Sequence, residues 1–187
     1  MEIDYVNKTS LLKPNLYRSE VLMVNDKLKL TLDNSRNIFS LNKNNVEYNK
    51  FNLAFKNFFS FLAPDVSKFN LNDNSIVLWS RTKSYIAITN FNLKELTSSF
   101  KNLASITDQT GGWLLFKLSG KGSLSLFEKL ITINLDNFSE GQAVRTSLNK
   151  INCFVLCKKK AQTYYIICPV SFSDTMKLRL IQLIELS

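Results

Sequence analysis

Histidine is absent from the 187 residues. That zero removes Ser-His-Asp and Cys-His nucleophile systems, HExxH zinc sites, His-ligated haem and imidazole proton relays from what this stretch does by itself. Any catalysis would have to run on carboxylate, lysine or tyrosine. Glycine (5) and proline (3) are scarce, and with 45% apolar and 21% charged residues the composition is that of a globular chain with a real core, against disorder or a fibre. The three cysteines, Cys153, Cys157 and Cys168, are odd in number and lack disulfide-scaffold spacing, which suits a reducing compartment. If Cys153 and Cys157 share a strand, their four-residue step spans about 13 Å, too far for both thiolates to hold one zinc, so buried free thiols are expected. No run approaches the ~18 apolar residues of a membrane span. Met1-Glu-Ile-Asp4 also lacks the basic and apolar regions of a secretory signal. A cytoplasmic location away from membranes is expected.

Positive charge is what the sequence has in excess. Lys and Arg number 24 against 15 Asp and Glu, a formal +9, which suggests an acidic partner. The excess is spread: residues 1–90 carry 12 basic and 8 acidic side chains, residues 91–187 carry 12 and 7. Asn42, Asn44, Asn45 and Asn49 crowd together, and with many Lys, Ile and Phe this is the composition an AT-rich genome produces. The tightest basic cluster is Lys158, Lys159 and Lys160. A solvated strand edge is its plain reading, and a charged partner-contact patch its functional one.

Residues 1–18 are polar and broken by Lys13-Pro14, the pattern of an arm that orders only against a partner. Leu28, Leu30 and Leu32 then alternate with Lys27, Lys29 and Thr31, the period of a half-buried strand, and Ile38–Leu41 is the next. Phe51, Phe55, Phe58, Phe59 and Leu62 recur at helical spacing and predict an amphipathic helix stopping before Pro64. Ile76–Trp79 and Tyr85–Thr89 read as a hairpin. Asn92 with Glu95 caps a helix carrying Leu93, Leu96, Phe100, Leu103 and Ala104, and Ser105–Thr110 returns as a strand. This half, 19–110, is strand, helix, strand, strand, helix, strand: a ferredoxin-like unit. Residues 111–187 repeat the order with a strand at Trp113–Leu118, a helix at Ser123–Leu130 and strands at Ala143–Leu148, Ile151–Lys158 and Thr163–Cys168. A C-terminal helix follows, opened by Ser171 and Asp174 and bearing Phe172, Met176, Leu180, Leu183 and Ile184. The expected class is α+β, two ferredoxin-like βαββαβ halves packed into one body.

Motif searches yield little chemistry. Leu118-Ser-Gly-Lys-Gly-Ser123 lacks the upstream glycine of a phosphate loop and reads as a tight strand-to-helix turn. Trp113–Lys117 and Cys153–Cys157 lack the aromatic signature of an RNA-binding sheet. Asp108, Asp136, Glu140 and Asp174 are scattered over loops and caps, where solvation or capping accounts for them.

The segments Ile106-Thr-Asp-Gln-Thr110, Leu115-Phe-Lys-Leu-Ser-Gly120, Ile133-Asn-Leu-Asp136, Phe138-Ser-Glu-Gly141 and Val144-Arg-Thr146 resemble, in order and spacing, the gamma-subunit family of heterotetrameric sarcosine oxidase. Ile76-Val-Leu-Trp79 with Tyr85-Ile-Ala-Ile88 resembles that family's hairpin, departing at Ser80-Arg-Thr-Lys83, where the family carries Gly-Pro-Asp. That family is in turn similar to the folate-binding domain of aminomethyltransferases, which implies the doubled ferredoxin-like fold. Aminomethyltransferases place a carboxylate beside folate on the segment that here runs Asn149-Lys-Ile-Asn-Cys-Phe154, and no Asp or Glu lies there. The K-G-C-Y-x-G-Q-E motif of the related iron-sulfur assembly proteins is also absent.

What the resemblance implies is a noncatalytic subunit, with no catalytic, cofactor-binding or metal-binding residues of its own, in an enzyme that demethylates sarcosine to glycine. The enzyme's other products are hydrogen peroxide and 5,10-methylenetetrahydrofolate. FAD, FMN, NAD, tetrahydrofolate and zinc would then belong to the alpha, beta and delta subunits, with alpha the main partner. The equivalent subunit of N-methylglutamate dehydrogenase is the alternative within the same kind of assembly. Outside it stand a free-standing basic nucleic-acid binder, which the missing stacking motif disfavours, and an active single-chain folate enzyme.

Overall fold

The computed structural model describes residues 19–131 and 133–187; the expected arm, 1–18, lies outside them. The chain opens with a hairpin, β1 (Ser19–Val24) and β2 (Lys29–Asp33), and continues through β3 (Asn37–Lys43), α1 (Tyr48–Phe59), β4 (Phe69–Leu71), β5 (Ser75–Arg81), β6 (Ser84–Thr89), α2 (Leu93–Ser99) and β7 (Ala104–Asp108). Next come β8 (Trp113–Ser119), α3 (Ser123–Glu128), β9 (Ala143–Leu148), β10 (Ile151–Lys159), β11 (Thr163–Pro169) and α4 (Ser173–Glu185).

Two antiparallel sheets result. The five-stranded sheet runs β4-β5-β6-β3-β7, and its last four strands stand in the spatial order of a βαββαβ unit, as the sequence periodicities predict. The six-stranded sheet runs β1-β2-β8-β11-β10-β9. Here β8, α3, β10, β11 and α4 supply strand, helix, strand, strand, helix, and the missing fourth strand, beside β8, is β2. Lys29 lies opposite Ser119 and Thr31 opposite Lys117. The expected division at residue 110 is thereby corrected for this hairpin: residues 19–33 complete the sheet of residues 111–187. The reason is burial. Leu28 and Leu30, at 2% and 0% exposure, join Phe116, Leu118, Phe127 and Tyr164 in one cluster.

Helices cover the outer face of each sheet, and the inner faces pack on each other. Phe51, Phe55 and Phe59 recur every fourth residue, so one face of α1 is wholly aromatic and sits on the five-stranded sheet. Its rings pack against Phe100 and Tyr85 with centroids 5.6–6.0 Å apart, stacked for Phe51 on Tyr85, edge-on for Phe55 on Phe100 and tilted for the others, the offset geometries aromatic quadrupoles favour. Ser60, left-handed at φ 65°, ends the helix and donates its N–H to Lys56 O. The helix therefore stops one turn before Pro64, and Leu62, expected on its buried stripe, is 54% exposed. On α4, Met176, Leu180, Leu183 and Ile184 are buried, whereas Phe172 precedes the helix and is 46% exposed. The N-terminus of α2 is the capping box its sequence announces: Glu95 N–H donates to Asn92 Oδ1 at 3.0 Å and Asn92 N–H to Glu95 Oε2 at 2.6 Å. No helix among the described residues is long and apolar enough to cross a membrane.

Candidate functional site

Between the sheets, Ile38, Ile76, Leu78, Ile86 and Ile88 meet Leu115, Phe154, Leu156, Tyr165 and Ile167. Alternation along each strand fixes which side chains face this layer. Toward the margins the same positions turn polar: Ile38 gives way to Ser40 and Asn42, Ile86 to Ser84, Leu115 to Lys117 and Ser119, and Leu156 to Lys158. Two clefts lie at these polar margins.

The first cleft, about 250 Å³, is lined by Ser40, Asn42, Ser84, Arg81, Trp113, Arg145 and Phe154 among others. Arg145 stands over the Phe154 ring at 5.6 Å, and Trp113 packs tilted against that ring at 5.8 Å. Arg81 Nε donates to Ser84 Oγ at 3.3 Å, and Ser84 Oγ to Asn42 Oδ1 at 2.6 Å. Both rings are already packed, so the lining offers hydrogen-bonding side chains around an aromatic wall. It includes no carboxylate, so it offers no acid or base.

The second cleft, about 460 Å³, is lined by Ser19, Val21, Lys29, Thr31, Asp33, Arg36, Lys117, Ser119 and Tyr165. Lys117 is half-buried on β8. Burial holds its ammonium below the ordinary lysine pKa, and the charges of Lys158, Lys29 and Arg36 push the same way against Asp33. Asp33 is already occupied. Its Oδ1 accepts from Ser35 N–H at 3.0 Å and from Ser35 Oγ at 2.5 Å, and its Oδ2 lies 3.3 Å from Arg36 Nε. Arg36 Nη1 is buried and has no hydrogen-bond partner among the described residues.

The residues singled out from sequence are dispersed. Lys158, Lys159 and Lys160 are exposed at the end of β10 and the turn after it. Lys158 adds its charge to the second cleft, while Lys160 fastens the 131–141 loop, donating from its N–H to Glu140 Oε1 at 3.2 Å and from Nζ to Asp136 O at 2.9 Å. Asp108 Oδ1 accepts from Thr110 N–H at 2.9 Å, a turn contact, and Asp174 lies in the first turn of α4. The three cysteines are free and buried. Cys153 is kept protonated, its pKa pushed up by its hydrogen bond with Cys168 and by burial; burial, then the Glu140 charge, also raises Cys157. Among the described residues no three His, Cys, Asp or Glu side chains gather as metal ligands.

The Ser119–Ser123 turn spends its amides on the protein: Gly120 N–H donates to Gln162 O at 2.8 Å and Gly122 N–H to Lys27 O at 3.3 Å. No anion cradle remains. Asn149 and Lys150, where the resemblance places a folate carboxylate, are both left-handed (φ 48° and 68°) and form the two-residue turn between β9 and β10. Neither sheet offers a bare aromatic face for stacked bases, because helices or the opposite sheet cover each one. Sequence inspection missed the cluster of Lys29, Arg36 and Lys117. Its signal was the polar half of the alternating Lys27–Leu32 and Phe116–Leu118 strands, which lie far apart in the chain.

No family model and no curated protein matches the sequence. Among solved structures, the fold is that of a chain of heterotetrameric sarcosine oxidase from Corynebacterium sp. U-96, with a TM-score of 0.74 at 16% identity over 87% of both chains. The glycine cleavage system aminomethyltransferase T from Bartonella henselae is similar at a TM-score of 0.55 and 11% identity, over 78% of this chain and 43% of that one.

Proposed function

We propose that this chain is a noncatalytic, gamma-type subunit of a multi-subunit sarcosine-oxidising flavoenzyme. One observation carries the reading. The fold corresponds with a chain of a heterotetrameric oxidase over 87% of each chain, but with only 43% of the aminomethyltransferase. The match thus spans most of one chain of an assembly and less than half of the aminomethyltransferase. The absence of histidine and the hairpin turn at Asn149–Lys150, where a folate carboxylate would stand, favour structure over chemistry as its role.

On this reading the flavins, NAD, tetrahydrofolate and zinc belong to the alpha, beta and delta subunits, and this chain docks mainly on alpha in the cytoplasm. The holoenzyme converts sarcosine to glycine, with hydrogen peroxide and 5,10-methylenetetrahydrofolate as products. Co-expression with the genomic neighbours, followed by mass spectrometry and a sarcosine-dependent peroxide assay of what co-purifies, is the test. The expected result is a stable complex with a flavin-bearing chain and no turnover by this chain alone. A monodisperse monomer that captures none of those neighbours, or turnover by the isolated chain, overturns the reading.

A further inference from the structure

The second cleft collects three cations, Lys29, Arg36 and Lys117, around one carboxylate, Asp33, and that carboxylate is spent. Lys29 and Lys117 project from neighbouring strands on the same face, since Thr31 pairs with Lys117 and Lys29 with Ser119. Arg36 closes one side and Lys158 adds its charge from β10. Among the described residues the only ion pairs are Arg36–Asp33 and the distant Lys50–Glu47, so Lys29, Lys117 and Lys158 have no acidic partner there. Gathering like charges beside a low-dielectric wall is unfavourable unless something of opposite sign offsets it. Solvent meets this need poorly at Lys117, which is half-buried, and not at all at Arg36 Nη1. The cleft has room for a ligand of small-metabolite size, about 460 Å³, and is walled by hydroxyls of Thr31, Ser119 and Tyr165.

We infer that this cleft between β2, β8 and β11 is a binding site for a small polyanion carrying two or more carboxylate or phosphate groups, with Lys117 at its centre and Lys29 and Arg36 beside it. The enclosed volume favours a small molecule over an extended acidic chain. Two anionic groups match the lining, where three cations stand against the single carboxylate of Asp33. The site is independent of the subunit reading above, since every residue in it belongs to this chain.

Calorimetric titration of the full chain in dilute chloride buffer tests it, with citrate as the polycarboxylate arm and inorganic pyrophosphate as the polyphosphate arm. One equivalent is expected to bind saturably in at least one arm, with affinity falling as salt screens the cluster, and the stronger arm identifies the class. Lys117→Met and Lys29→Ala are each expected to weaken binding at least tenfold, whereas Lys101→Ala, in the turn between α2 and β7, changes it less than twofold. Lys117→Met removes a charge from a repulsive cluster and keeps the aliphatic stem, so its thermal midpoint at neutral pH serves as the folding control. No heat in either arm, equal loss with Lys101→Ala, or binding confined to poly-L-glutamate overturns the inference.

Discussion

At Gly120 the turn after β8 lies directly against the β1–β2 hairpin, and replacing Gly120 with alanine gives the sharpest test of the architecture. Its φ is +126°, and a Cβ there would stand 2.0 Å from Lys27 O, 2.9 Å from Lys27 C and 3.0 Å from Leu28 Cα. All three are backbone atoms of the β1–β2 hairpin, so no side chain can rotate away. Relief requires moving the hairpin or the turn by an ångström or more, which breaks the bonds from Gly122 N–H to Lys27 O and from Gly120 N–H to Gln162 O. Backbone strain costs about 1–3 kcal/mol and each lost hydrogen bond about 1 kcal/mol, so the expected destabilisation is about 3–5 kcal/mol, a large share of the ~5–15 kcal/mol that holds a domain together. Gly141 supplies the control: its φ is +78° but nothing lies within 4 Å of an added Cβ. Its alanine variant should lose only about 1 kcal/mol, from conformation alone. Urea unfolding followed through Trp79 and Trp113 fluorescence measures both. A Gly120→Ala variant within about 1 kcal/mol of Gly141→Ala refutes the close approach of hairpin and turn.

Asn92→Ala removes one half of the capping box on α2 and is expected to cost about 1 kcal/mol, read as a shift in the urea midpoint. Leu30→Ala empties a site at 0% exposure and should cost about 2–5 kcal/mol. Leu62→Ala, at 54% exposure, should stay within about 0.5 kcal/mol. Lys117 has its pKa lowered by burial first and neighbouring cations second, so the unfolded chain holds that proton more tightly than the folded one. The penalty is full below the folded pKa and is relieved as pH rises toward the unfolded value of about 10.4. The stability advantage of Lys117→Met over the parent should therefore be greatest near neutrality and shrink on approaching pH 10, as measured by thermal midpoints in anion-poor buffer.

The parts of the fold that local patterning controls were legible in the sequence. Phe51, Phe55 and Phe59 announce α1, Asn92 with Glu95 announces α2, alternation announces β2, and the apolar run Tyr85–Ile88 announces β6. Ends were less legible, because a single left-handed residue, Ser60, stops α1 before the proline that reads as its terminator. β1 went unread: Val21 and Val24 are 53% and 57% exposed at a sheet edge, where pairing with β2 rather than burial makes the strand. Least legible was partnership across the chain. Nothing near Leu28–Leu32 says that its mate is β8 rather than a neighbour, and that pairing creates the cationic cleft. Adjacency in sequence misled in the opposite sense, since Lys158 and Lys160 are consecutive-looking charges that serve different places.

Borrowing β2 for the later sheet has a consequence for biogenesis. Ser119 and Lys29 face each other across a separation of 90 residues. At ribosomal rates of about 5–20 residues per second, roughly 5–18 s pass between their syntheses. Throughout that interval Leu28 and Leu30 wait uncovered on an early-emerging ribbon, while the five-stranded sheet behind them is free to assemble. Nascent chains arrested just after residue 110 should accordingly present a sticky leader that holdase chaperones grip, and chains arrested once β8 clears the exit tunnel should shed them.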